Sequence, residues 1–166
     1  MIGWGVAALL ILSAIGSLLW AVPSKADQRR AEMRDEALRQ GLSLVTLSIP
    51  DTSERGRIDR LTRLVTGYKR RAREAAALPS FIVLRSSGES GFGLPTGWVW
   101  ENPAFRATPT LRMALVEILN DLPLWVELLA ITPEGLVVSF DERRGTAQVS
   151  QVNELLERSC QRLLPL

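Results

Sequence analysis

The sequence predicts an α+β fold: an N-terminal transmembrane helix and a basic stalk helix, then an antiparallel or mixed sheet with two amphipathic helices on one face. Three observations predict it. The first 24 residues carry no charged side chain. Several short stretches after Gly41 are β-rich and bounded by Pro, Gly or Ser, as strands are. Two longer stretches, near 109–122 and 146–163, instead repeat apolar residues every three or four positions, as helices do. The resulting order after the stalk, β-β-β-β-α-β-β-α, suits helices packed on one side of a sheet. The chain divides into an anchor at 1–23, a juxtamembrane helix at 24–41 and an α+β domain at 42–166, which is long enough for one core.

The anchor comes first. As a helix, Ile2 to Val22 spans roughly 31 Å, enough for the hydrocarbon core of a bilayer. Trp4 and Trp20 stand near its two ends, where indole rings favour the membrane interface, and Pro23 ends it. A cleaved secretion signal is the competing reading. It has a passable cleavage triplet in Ser24-Lys25-Ala26, but it lacks a basic start and its apolar run is too long. Small residues at Ser13, Gly16, Ser17 and Ala21 make a possible helix-packing face. Lys25, Arg29, Arg30, Arg34 and Arg39 all lie on the C-terminal flank. The positive-inside rule therefore places the N-terminus outside and the domain in the cytoplasm of a bacterial inner membrane.

Residues 24–41 form a helix with Ser24 as cap, Asp27 as capping-box acid and Gly41 as stop. Its few apolar positions, Ala26, Met33, Ala37 and Leu38, predict a charged stalk standing off the membrane. Lys25, Arg29, Arg30 and Arg34 are its expected contacts with lipid head groups.

A strand follows at 42–49, with Val45, Leu47 and Ile49 on one face. Residues 58–73 carry both periods: Ile58, Leu61, Leu64 and Val65 fit a helix, while Leu64, Thr66 and Tyr68 fit a strand. Gly67 tips the balance towards a strand at Arg63–Arg70. Residues 80–85 and 98–101 read as a hairpin with a long, mobile, glycine-rich tip at 86–97. Thr108 and Pro109 open a helix whose stripe is Leu111, Ala114, Leu115, Ile118, Leu119 and Leu122. Pro133 and Gly135 turn a second hairpin. The last helix buries Val149, Val152, Leu156, Cys160 and Leu163.

Charge is unevenly placed. Lys25–Arg73 holds 13 Lys/Arg against 7 Asp/Glu, whereas Glu74–Leu166 holds 7 against 11. The basic part adjoins the apolar run, which favours an anionic membrane neighbour. The chain has no histidine, which excludes Ser-His-Asp and Cys-His catalysis and any His-ligated metal. Its one cysteine, Cys160, allows no intrachain disulfide and lies on an apolar stripe, as an inert core thiol does. "GESGFG" lacks the lysine of a phosphate loop, and Ser90 lacks the second glycine of a nucleophile elbow. Tyr68–Arg73, with Arg55, Arg57, Arg60 and Arg63, is a basic concentration without interleaved stacking aromatics, so a nucleic-acid partner is not expected. Trp98 and Trp100 share one side of their strand and are expected in the core. Glu127, Asp141 and Glu142 lie on or near the final hairpin, and the sequence pairs no two of them as acid and base.

In layout, "LLILSAIGSLLWAVPSKADQRRAEMRDEALRQGL" resembles small bacterial inner-membrane proteins of the YajC type, with an anchor, a proline and a basic helix ahead of a cytoplasmic part. The resemblance implies a companion of the Sec translocase and transfers no functional residue. The leading expectation is thus a non-catalytic accessory or adaptor protein. Its partners would be membrane lipid and another inner-membrane or cytoplasmic protein, with no catalytic residues, metal, cofactor or small-molecule ligand. A membrane-tethered enzyme using carboxylates and an anionic-lipid surface sensor are the alternatives.

Overall fold

The structure is a computed structural model, and it describes residues 24–52, 58–88, 90–142 and 145–163. The anchor expected at 1–23, with Ser13, Gly16, Ser17 and Ala21, lies outside the described residues. Among the described residues no helix is long and apolar enough to cross a membrane.

The elements are α1 (Lys25–Arg39), β1 (Ser43–Thr52), β2 (Ile58–Arg71), a 3-10 turn (Arg73–Ala77), β3 (Phe81–Arg85), β4 (Trp98–Trp100), α2 (Pro109–Asp121), β5 (Val126–Thr132), β6 (Gly135–Phe140) and α3 (Ala147–Leu163). The fold is α+β. All six strands join one sheet in the order β1-β2-β6-β5-β3-β4, and every pairing is antiparallel. One register row runs straight across it through Val45, Gly67, Ser139, Leu128, Leu84 and Val99.

The stretch with two competing periods is a strand throughout, longer than expected at Ile58–Arg71. Cross-strand pairing with β1, from Ser43 opposite Lys69 to Pro50 opposite Thr62, together with β-branched Ile58, Thr62, Val65 and Thr66, favours the strand. Gly67 has a packing reason to be there. A Cβ at that position would lie 2.5 Å from Val137 Cγ1 and 3.0 Å from Val45 Cγ2, so the flanking valines close over the bare backbone.

One face of the sheet carries the main core. Tyr68, Phe81, Val83, Trp98, Trp100, Leu129 and Val138 meet Leu115 and Leu119 of α2 and Val152 and Leu156 of α3. Met33 and Ala37 of α1 belong to the same core and are completely buried. This corrects the expectation of a stalk. The helix has few apolar positions, but they are one turn apart on one side and dock it onto the sheet, so three helices rather than two share that face. The other face holds a second apolar cluster, Ile49, Leu84, Val99, Leu128, Ala130 and Val137, to which no described helix contributes.

The connection at 86–97 is a packed loop, not a free tip. Ser86 N–H donates to Gly97 O (2.9 Å), Gly91 N–H to Trp98 O (2.8 Å) and Trp100 Nε1–H to Phe92 O (3.1 Å), and Leu94 is buried.

Candidate functional site

α1 begins at a built cap. The Ser24 hydroxyl accepts from Asp27 N–H (3.1 Å) and donates to Asp27 Oδ2 (2.7 Å). That hydrogen bond, with the charge of Arg30 3.2 Å away, holds the Asp27 carboxyl below its ordinary range. The first turns of the helix are exposed, and Lys25, Arg29 and Arg30 stand on them.

Arg34, the fourth residue expected at lipid, has a different setting. Its Nη2 donates to Glu142 Oε2 (3.0 Å) and to Thr66 Oγ1 (3.1 Å), and its Nε donates to Glu142 Oε1 (3.3 Å). The buried hydroxyl of Tyr68 donates to the same Glu142 Oε1 (2.8 Å). Two-pronged pairing of a guanidinium with a carboxylate fixes orientation as well as charge. Here it clamps α1 to β2 and to the end of β6. Glu142 raises the Arg34 pKa through this bond. Burial, followed by the Glu142 carboxylate, pushes the Tyr68 phenol well above its ordinary value.

This clamp forms one wall of the candidate site. Ladder pairing between β2 and β6 runs only from Arg71–Gly135 to Gly67–Ser139. Beyond Gly67 the β1–β2 hairpin continues alone, and a cleft of about 390 Å³ opens between it and the β5–β6 hairpin. Arg30, Arg34 and Arg63 line it, facing Glu127, Asp141 and Glu142. Arg63 Nη2 spans the gap to Glu127 Oε2 at 2.9 Å. The three carboxylates that the sequence left unpaired therefore do converge. Glu142 is occupied by Arg34 and Tyr68, and Glu127 by Arg63, so the arrangement holds secondary-structure elements together.

No family model, curated protein or solved structure matches this chain.

The remaining residues singled out by sequence disperse. The basic run at 68–73 is split between core and surface. Tyr68 stacks on Phe140 at 4.7 Å, Lys69 is buried in an ion pair with Glu134, and Arg70 donates to Asn153 Oδ1 at 2.8 Å. Arg71 and Arg73 are exposed at the sheet end opposite the cleft. Trp98 and Trp100 are core residues. The Arg85 guanidinium sits 4.4 Å over the Trp98 ring and donates to Val126 O (2.7 Å) and Pro123 O (3.0 Å). Burial pushes the Cys160 thiol up, which disfavours the thiolate a nucleophile needs. Among the described residues no cluster of three acidic, Cys or His side chains is placed to hold a metal ion.

Sequence reasoning missed Leu64 and Leu124. They are 74% and 86% exposed, the most exposed large apolar side chains described. No periodic signal reveals them, because a leucine in phase with core neighbours reads as core until the neighbouring layer is seen to stop short.

Proposed function

We propose that this chain is a non-catalytic accessory protein of a bacterial inner membrane. Its N-terminal segment is the anchor, its N-terminus lies outside, and its α+β domain is held in the cytoplasm beside a membrane complex. The observation that carries this reading is continuity. The uncharged run to Val22 passes through Pro23 straight into a capped helix whose first turns are basic and whose later turns are buried in the domain. A charged helix next to an apolar span suits an anionic leaflet. Because α1 is docked, little slack separates anchor and domain. The layout's resemblance to proteins of the YajC type makes the translocase the first complex to test. The second apolar face of the sheet, which no described helix covers, suits a protein partner.

The test has two readouts. A reporter fused after Leu166 should be active on the cytoplasmic side, and gentle detergent extraction should return a stoichiometric protein partner. A reporter active only in the periplasm, or a mature chain beginning near Asp27, overturns the topology. Repeated recovery of the chain alone overturns the adaptor role.

One observation favours the alternative of a carboxylate enzyme, the convergence of Glu127, Asp141 and Glu142 on one cleft. Arg63 and Arg34 neutralise two of them, so the cleft suits holding the fold together better than proton transfer.

A further inference from the structure

The anchor alone leaves open which way the domain faces. Three segments meet at one end of the sheet. Arg30 of α1 lines the cleft there, and Lys25 and Arg29 stand on the same exposed first turns of that helix. The outer half of the β1–β2 hairpin brings Leu64, which lines the same cleft as Arg30. The turn before β5 brings Leu124, two residues of chain (at most about 7 Å) from Val126. Val126 pairs with Phe140, and the next residue, Glu127, reaches Arg63 at 2.9 Å.

We propose that this end rests on the anionic bilayer surface, with Leu64 and Leu124 inserted among the head groups and the α1 cations on lipid phosphates. The proposal depends on the anchor reading above. Exposed leucines beside cations are the composition that an interface rewards: apolar tips enter the acyl boundary while ammonium and guanidinium groups stay at phosphate level. Of the described carboxylates here, Asp141 lines the cleft and is exposed, and four others are held in hydrogen-bonded ion pairs. Glu142 and Glu127 are held by Arg34 and Arg63 within the cleft, Asp27 is bonded to Ser24 and Arg30, and Asp121 is paired with Arg162 at 2.7 Å. Leu38 in the last turn of α1 aside, the other strongly exposed apolar residues, Phe92 and Met113, lie towards the start of α2. There Arg112 faces the Phe92 ring, and Met113 stands eight residues, about 12 Å along the helix axis, before Asp121 at the other end of α2. They face the cytoplasm in this orientation and provide the control.

The test uses the full chain with Cys160→Ser, carrying a single cysteine at position 64, 124 or 113 labelled with an environment-sensitive fluorophore. It is reconstituted into vesicles of equal parts phosphatidylcholine and phosphatidylglycerol. Probes at 64 and 124 should shift to the blue and be quenched by brominated lipid, while the probe at 113 reports water. Neutralising Lys25, Arg29 and Arg30 to Gln should lower the surface-bound equilibrium about fivefold per charge. If the protein floats with the vesicles but probes at 64 and 124 match that at 113, the orientation is wrong and the anchor stands. If the protein does not float, the anchor reading fails and this one with it. Equal quenching in phosphatidylcholine alone overturns the choice of an anionic surface.

Discussion

Glu142 accepts from two groups that arrive from far apart in the chain, Arg34 and Tyr68. Removing it strands a buried phenol. Glu142→Ala should therefore cost about 1–3 kcal/mol in the unfolding of the detergent-solubilised chain, and Glu142→Gln, which keeps an acceptor oxygen, should cost less. Equal losses would show that the oxygen does not matter. Tyr68 is the only tyrosine, so its titration can be read directly from phenolate absorbance. Its folded pKa is raised above the ordinary 10.0, so the folded chain holds the proton more tightly than the unfolded chain. That stability is fully present below about pH 10 and is lost as pH rises beyond it. Phenolate absorbance should therefore grow only as the near-ultraviolet dichroism disappears. A reversible titration near 10 with the fold intact would refute this. None of this contact was legible in sequence. Residues 34, 68 and 142 carry no pattern linking them, and Arg34 in isolation reads as one more surface cation.

At the scale of elements, the amphipathic stripes of α2 and α3 and the Pro133–Gly135 turn were legible because period and turn chemistry are local. At Gly135, φ is +146° and a Cβ would meet Arg70 O at 2.0 Å, so the turn requires glycine. β2 was legible from Arg63 to Arg70, whereas at its start Ile58 and Leu61 fit the competing helical period. Gly67 was read as a weak argument against a helix; its stronger meaning, a seat for Val45 and Val137, needs the sheet. Gly67→Ala should destabilise the chain by about 1–3 kcal/mol through overpacking against two stiff valines. Thermal unfolding checks it, and an unchanged midpoint would mean that the valines rotate away freely.

For the whole molecule, α1 decides whether the domain hangs loosely or is held. Its reading as a stalk rested on a low count of apolar residues, whereas docking depends on where they lie: Met33 and Ala37 one turn apart, with Arg34 beside them. Met33→Asp places an unpaired charge where exposure is 0% and should release the helix. Trypsin then cuts after Arg34 and Arg39 in the variant well before it cuts the parent chain, with the remaining domain still resistant. Identical digestion patterns would show that α1 is held by something else.

The clamp also has a consequence in time. Arg34 and Glu142 are separated by 108 residues, and ribosomes deliver the first long before the second. Until the final hairpin is made, the helix has no finished platform to bind, and Arg34 lacks the Glu142 carboxylate it pairs with in the folded domain. On the proposed anchor reading, Arg34 acts first as a topological signal during insertion and only afterwards, once the final hairpin has been synthesised, as a bolt within the finished domain.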